Sequence, residues 1–258
     1  MQIRTLLLLG AGAASLSLQA ATLSEVIQDT TQMGEVVVTG TRNATDARYL
    51  PLTVTSISNE KLNENFRSSV LPTVMEQTPG LFTTSRGVLG YGVSTGAAGS
   101  LKIRGVGSGA QLLVLIDGQP QYAGLMGHPI PDAYQTMMAE KVEVLRGPAS
   151  LLYGSNAMGG VLNIITRQMN EDGCKTNIRL QGGSYGTVQA DGVNRFRMGK
   201  FHSVVGAQYQ RTSGHRDNSE FEQFGGYAKL GYDFSEHWKA FADANVTHFN
   251  ASNPGPSY

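Results

Sequence analysis

The stretch "VEVLRGPASLLYGSNAMGGVLNIITR", Val142 to Arg167, decides how the chain is read. It alternates short apolar runs with glycines, holds no His or Cys, and carries one acidic and two basic side chains. Such a segment is equipped for close backbone packing, not for acid–base or nucleophilic chemistry. Around it, "TMMAEKVEVL" predicts a helical turn running into a strand, and "GVLNIIT" predicts a second strand after a Gly-Pro break and a short turn through "SLLYG". Upstream, "LKIR" and "LLVLID" are strands separated by "GVGSGAQ", and Asp117-Gly118 reads as a closing turn rather than a ligand site. "LLVLID" is continuously apolar, so burial on both faces is expected. "PLTVTSIS" alternates as a strand, Ser58 is placed to cap a helix through "NEKLNENF", and "SVLPTVMEQTPG" reads as another short helix stopped by Pro79 and Gly80. Two long loops interrupt this pattern, from Ser85 to Ser100 and from Gln119 to His128. Up to about residue 168 the chain reads as a small α/β domain.

The grammar changes after Arg167. "TNIRLQGGSYGTVQADGV", "FHSVVGAQYQ", "GGYAKLGYDF" and "WKAFADANVTHF" are segments of alternating polarity, each about ten residues to a strand, separated by polar or glycine turns. In the third, Ala228, Leu230, Tyr232 and Phe234 share one face while Lys229, Gly231 and Asp233 share the other. Two architectures fit: a soluble antiparallel sheet with one wet face, or the wall of a membrane β-barrel with aromatics near its rims.

The N-terminus favours the second. "MQIRTLLLLGAGAASLSLQAA" has Arg4 in a basic head, an apolar run from Leu6 to about Leu18 and small residues at Ala20 and Ala21, which is the pattern of a cleaved signal peptide. The run is shorter than the ~20 residues a spanning helix needs. A polar leader follows, broken by "GEVVVTGTR", a lone β-branched strand that wants a partner. Twenty basic and twenty acidic residues cancel, so no global field recruits nucleic acid. The single cysteine, Cys174, excludes an internal disulfide and a cysteine metal cluster.

Three stretches, in this order, resemble the TonB-dependent outer-membrane receptors: "GEVVVTGTR" is similar to the TonB box, "LKIRGVGSGAQLLVLIDGQPQ" to the plug's "IRG…VLIDG" hairpin, and the opening stretch to the plug's closing segment. The resemblance implies a signal peptide (residues 1–21), a flexible leader (22–48) with the box at Glu35, Val36, Val37, Val38 and Thr39, an α+β plug (49–168), and the first antiparallel strands of a barrel, about four, over 174–258. It implies location in the outer membrane of a Gram-negative bacterium, with the plug inside the barrel and a TonB-type periplasmic energy transducer as partner. It further implies plug–barrel contacts through Arg104, Glu143 and Arg146, and ligand loops carrying Arg86, Tyr91, Gln121, Tyr122 and His128. The expected ligand is a small nutrient chelate, ferric siderophore first, cobalamin or haem next, oligosaccharide after these.

An enzyme is the weaker class. Gly182, Ser184 and Gly186 satisfy G-x-S-x-G, but strand pattern lies on both sides where a hydrolase elbow needs a strand entering a helix. Glycines 105, 107 and 109 lack dinucleotide-loop spacing, and the five histidines are scattered, so no cofactor and no metal site are expected. The alternative from another class is an exported ligand-capture domain that does not transport. Length gives it weight: roughly 90 residues after the plug suffice for about four strands, whereas closure of a large family barrel takes about 22. The expectation is therefore a truncated receptor that does not transport alone.

Overall fold

A computed structural model describes residues 36–37, 45–46, 53–65, 67–83, 85, 89–91, 101–105, 112–121, 131–235 and 238–252. The first elements are two short strands, β1 (Val36–Val37) and β2 (Thr45–Asp46), paired antiparallel. A plug domain follows. β3 (Thr53–Ser58) runs into α1 (Asn59–Asn63), where extended Ser58 accepts the Lys61 backbone N–H at 3.5 Å, the expected cap. α2 (Leu71–Gln77) begins with Pro72 in its first turn, where a missing N–H costs nothing. Next come β4 (Leu81–Phe82), β5 (Lys102–Ile103), β6 (Leu112–Ile116) and β7 (Gln119–Pro120). Two 3-10 turns, Pro131–Ala133 and Thr136–Met138, lead into β8 (Ala139–Arg146), and α3 (Ser150–Tyr153) connects it to β9 (Gly160–Thr166).

The plug sheet has the order β3-β8-β9-β6-β7, with β6 and β9 parallel and the other pairs antiparallel. All five residues of β6 are buried, as its unbroken apolar run requires. On one face Leu62, Leu71, Val74, Val114, Val142 and Leu162 form the main core; on the other, Leu113, Leu115, Leu145 and Val161 form a second. Gly160 opens β9, the middle strand of this sheet, with φ +153°, and a Cβ there would lie 2.4 Å from the Leu145 carbonyl oxygen. Because that neighbour is backbone, it has no rotamer to yield. Gly160→Ala is expected to destabilise the plug by about 3 kcal/mol or more, read as a lowered urea midpoint; an unchanged midpoint would show that the sheet tolerates the shift.

Five long strands follow: β10 (Gly173–Gly183), β11 (Thr187–Met198), β12 (Phe201–Thr212), β13 (Phe221–Asp233) and β14 (Lys239–Ala251). Each pairs antiparallel with the next in an open meander. The count exceeds the expected four because "TNIRLQGGSYGTVQADGV" folds as a hairpin, turning at Tyr185 (φ +60°) and Gly186 (φ +63°). The same turn removes the hydrolase-elbow reading, since strands flank it on both sides.

Side-chain alternation settles which face is which. On β13, Phe221, Gln223, Tyr227 and Lys229 are buried, while Glu222, Phe224, Leu230 and Tyr232 are exposed. Neighbouring strands repeat the pattern: Gln208 and Gln210 are buried, while Ile178, Leu180, Val205 and Val246 are exposed. A soluble sheet covers its apolar face and wets its polar one. Here Gln208, Gln210, Gln223 and Lys229 are turned to the plug while large apolar side chains such as Val205, Leu230, Tyr232 and Val246 are turned outward, the inverted arrangement of a wall that meets hydrocarbon. Among the described residues no helix is long and apolar enough to cross a membrane, which says nothing about strands.

Candidate functional site: the plug–wall seam

The seam begins at a turn. Asp117 and Gly118 close β6 with φ values of +49° and +82°, and the Asp117 N–H donates to the Ile164 carbonyl at 2.9 Å while the Gly118 N–H donates to Asn163 Oδ1 at 3.2 Å. The Asp117 carboxylate then collects three donors. Thr166 gives its backbone N–H (2.8 Å) and its hydroxyl (2.5 Å), and Lys229 of β13 gives its ammonium at 2.6 Å. Lys229 Nζ also donates to Thr166 Oγ1 at 3.1 Å and lies 4.9 Å from the centre of the Phe241 ring on β14. The Lys229 side chain is 5% exposed and that of Asp117 11%. A charge pair so desolvated holds only while both partners are present and hydrogen-bonded, a condition this cluster meets.

At the opposite end of the strands the seam is amide-rich. The Ser68 hydroxyl lies 2.6 Å from both Gln189 Oε1 and Gln210 Oε1, Gln210 donates to Gln223, and Gln223 Nε2 donates to the Asp132 carbonyl at 2.5 Å. Asn245 Nδ2 donates to the Ala133 carbonyl at 3.3 Å, and Arg179 bridges Asp191 (2.6 Å) and Asn63 (3.1 Å). Glycines let the two layers approach. A Cβ at Gly225 would fall 2.0 Å from Gln135 Nε2, and one at Gly206 would fall 3.2 Å from Met137 Sδ.

Two cavities lie along this seam. One, about 750 Å³, is lined by Asp117, Asn163, Arg197, His202, Lys229 and Asp233 among others, and the Arg197 guanidinium pairs with Asp233 at 2.7 Å. The second, about 250 Å³, is lined by Arg67, Ser68, Tyr91, Gln189, Gln208 and Gln223 among others. Among the described residues no group of three or more His, Cys, Asp or Glu side chains is placed to hold a metal.

The residues expected from the sequence are distributed unevenly. Val36 and Val37 form β1, paired with Thr45–Asp46 of the same chain. Glu35, Val38, Thr39, Arg86, Tyr122 and His128 lie outside the described residues, as do residues 1–33. Tyr91 is not a surface loop residue: it is 5% exposed, its N–H donates to Asp132 Oδ1 at 3.0 Å, and burial pushes its phenol well above the ordinary tyrosine range. Gln121 is half-buried, with its N–H on the Val114 carbonyl at 2.8 Å. Arg104 is exposed in a turn (φ +51°) and donates its N–H to the Gly80 carbonyl at 2.7 Å. Glu143 lies within β8 at 0% exposure, 2.7 Å from Lys141 of the same strand. Two residues apart on one strand, their side chains share a face. Arg146 does end β8, and its Nε is buried without a hydrogen-bond partner among the described residues. Among the described residues the direct plug–wall ion pair is Asp117–Lys229, with an acid on the plug and a base on the wall.

Fold and seam together define a class of protein, a plug domain joined to strands of the wall that encloses it. Residues 46–161 match the family model "TonB-dependent Receptor Plug Domain", so this stretch is a plug domain of the kind that TonB-dependent receptors carry. Among curated proteins it is 29% identical to the "Iron-regulated outer membrane virulence protein" of Vibrio cholerae, over 89% of this chain and 36% of that protein. The chain thus spans about a third of the length of that relative. Among solved structures it matches the Pseudomonas aeruginosa receptor FpvA bound to a ferric pyoverdine (TM-score 0.66, 19% identity, 82% of this chain and 27% of that one). It also matches the siderophore receptor PirA from Acinetobacter baumannii (TM-score 0.57, 19% identity, 75% and 31%). These structural likenesses establish the fold.

Proposed function

We propose that this chain supplies the plug and first wall strands of an energy-coupled outer-membrane receptor that imports a scarce nutrient chelate, ferric siderophore first, with cobalamin or haem next. The observation that carries the reading is the inverted wall: apolar outside, polar inside, with a folded plug seated on the polar face. Such a sheet has no use in water. The name of the Vibrio relative refers to iron regulation, and FpvA and PirA are described as pyoverdine and siderophore receptors, which supports the chelate class.

In this reading the loops at 184–186 and 213–220 face the exterior and the turns at 199–200 and 234–238 face the periplasm, as barrels with short periplasmic turns do. Ligand meets the plug from the loop side, where the amide-lined cavity lies, through Tyr91, Gln121 and the loop residues Arg86, Tyr122 and His128. Glu35 to Thr39 are the handle taken by a TonB-type periplasmic transducer through strand addition. Among the described residues β1 belongs to a two-stranded ribbon with β2, marginally stable by itself in water, so the exchange of that partner for a longer one is cheap. No catalytic step and no nucleotide are involved. Energy reaches the plug as a pull, drawn from the inner-membrane proton gradient. Import belongs to a closed wall, because open strand edges are not tolerated in hydrocarbon.

The test uses cells producing the receptor and a radiolabelled ferric siderophore. A protonophore is expected to stop accumulation while leaving surface binding intact. Accumulation that continues in collapsed cells would refute energy coupling.

A further inference from the structure

The larger cavity carries groups that the docking of the plug leaves unused. It lies where β11 and β13 end and β12 and β14 begin, beside the turns at 199–200 and 234–238. Three permanent cations, Arg197, Lys229 and Lys239, line it with two carboxylates, Asp117 and Asp233. Lys229 is paired with Asp117 at 2.6 Å and Arg197 with Asp233 at 2.7 Å. Lys239 is the cation left over: it is exposed and makes no ion pair among the described residues. Phe241 is unused in the same sense. It stands opposite Gly231, on the inward row of Lys229 and Asp233, yet it is 48% exposed. Among the described residues the other large apolar side chains left exposed on the five wall strands, such as Phe224, Leu230 and Val246, are on the outward row. Phe249, on the same strand and face, is half-buried and stacks on Phe221 with ring centres 6.3 Å apart. An inward aromatic ring therefore faces the cavity, two residues from an unpaired ammonium on the same side of β14.

We propose that this cavity is a ligand subsite for an aryl group bearing an anionic oxygen, of the hydroxybenzoate or catecholate class. Its volume of about 750 Å³ and its mixture of apolar wall and convergent polar groups are those of a small-molecule site. Phe241 takes the ring by stacking, and Lys239 takes the anionic oxygen. Asp233 does not compete for Lys239, because Arg197 already occupies its carboxylate. The pairing of ring and charge separates this ligand class from its neighbours. Inorganic phosphate or an aliphatic acid would leave the ring unused, and an uncharged sugar would leave the lysine unused. Binding follows from the cavity itself, whereas its place in transport rests on the import reading. Under that reading this end of the wall faces the periplasm, so the subsite receives aryl groups of the chelate on the exit side of the plug. The cargo then narrows from nutrient chelates in general to those that bind metal through phenolate oxygens.

The test is photolabelling with 4-azidosalicylate, an anionic aryl probe, in outer-membrane vesicles from cells producing the full receptor, with labelled peptides mapped by mass spectrometry. Saturable labelling is expected on peptides carrying 168–170 or 239–241. Free 2,3-dihydroxybenzoate is expected to compete, and cyclohexanecarboxylate, of equal charge but without a flat ring, is not. Lys239→Glu is expected to raise the half-saturating concentration on the order of 10-fold, since it sets like charge against the anion. Phe241→Leu, which keeps an apolar side chain but removes the ring, is expected to raise it about fivefold. Both positions are exposed, so neither change disturbs the packed seam. Labelling that misses these peptides overturns the subsite, as does a half-saturating concentration unchanged in both variants. Equal competition by cyclohexanecarboxylate overturns the aryl class. Labelling as expected, together with uptake that survives a protonophore, leaves the subsite standing and removes the import reading.

Discussion

Deleting residues 35–39 is expected to abolish energised uptake while leaving ligand affinity within about twofold of the parent, since the proposed import reading assigns ligand to the loop side and this segment to the transducer, so uniform binding terms are untouched. The reason lies in how little holds the segment. Its two described residues, Val36 and Val37, pair with Thr45–Asp46, and a two-stranded ribbon by itself is only marginally stable in water. An extended, β-branched, weakly paired strand offers backbone donors and acceptors to a partner strand, and its side chains matter less than its availability. Single substitutions within it are therefore expected to do less than its removal, with proline the exception because it deletes a ladder donor. Uptake that is unaffected by the deletion would leave the chain a capture device, the alternative that the sequence allows.

The second large effect concerns Lys229. Removing one partner of a buried pair leaves the other charge desolvated and unmatched, so Lys229→Ala or Asp117→Ala is expected to cost about 3–5 kcal/mol of plug docking. Asp117→Asn is milder, because an amide still accepts from Thr166. In a double-mutant cycle the coupling between positions 117 and 229 is expected at about 1–3 kcal/mol, whereas Lys229 and Glu143, which belong to separate contacts, are expected to add independently. Replacing both partners with apolar residues of similar size is expected to recover much of the loss, because the desolvation cost disappears with the charges. Denaturant midpoints of the four variants measure this directly, and a coupling near zero would reduce the pair to two unrelated surface charges.

The plug was legible because its signals are local. A run of five apolar residues makes a doubly buried strand, Ser58 caps the helix that follows it, and "TMMAEKVEVL" turns and extends as its pattern says. The wall was legible from its alternation, and the row containing Lys229 was separable from the row containing Leu230 before any coordinates. The strand count slipped because "GGSYGT" holds its turn in backbone angles, at Tyr185 and Gly186, rather than in a proline or an Asn-Gly pair. The seam was not legible. Asp117 reads as a turn residue, which it is, and its partner lies 112 positions away on a strand whose register sequence periodicity does not specify. The same holds for Ser68 with Gln189 and Gln210, and for Met137 on Gly206. Glu143, which the resemblance implies as a plug–barrel contact, lies 2.7 Å from Lys141 two residues away on its own strand, a local pairing that the resemblance does not announce.

The central claim is that the segment around Val37 is the handle of an importer. The most direct measurement places a photoreactive residue at position 37 of the receptor in living cells and identifies what it cross-links, with and without ferric siderophore. The account predicts a cross-link to a single periplasmic protein that strengthens when ligand is added and disappears when residues 35–39 are otherwise disrupted by proline. Cross-links confined to the receptor's own plug or wall, unchanged by ligand, would contradict it.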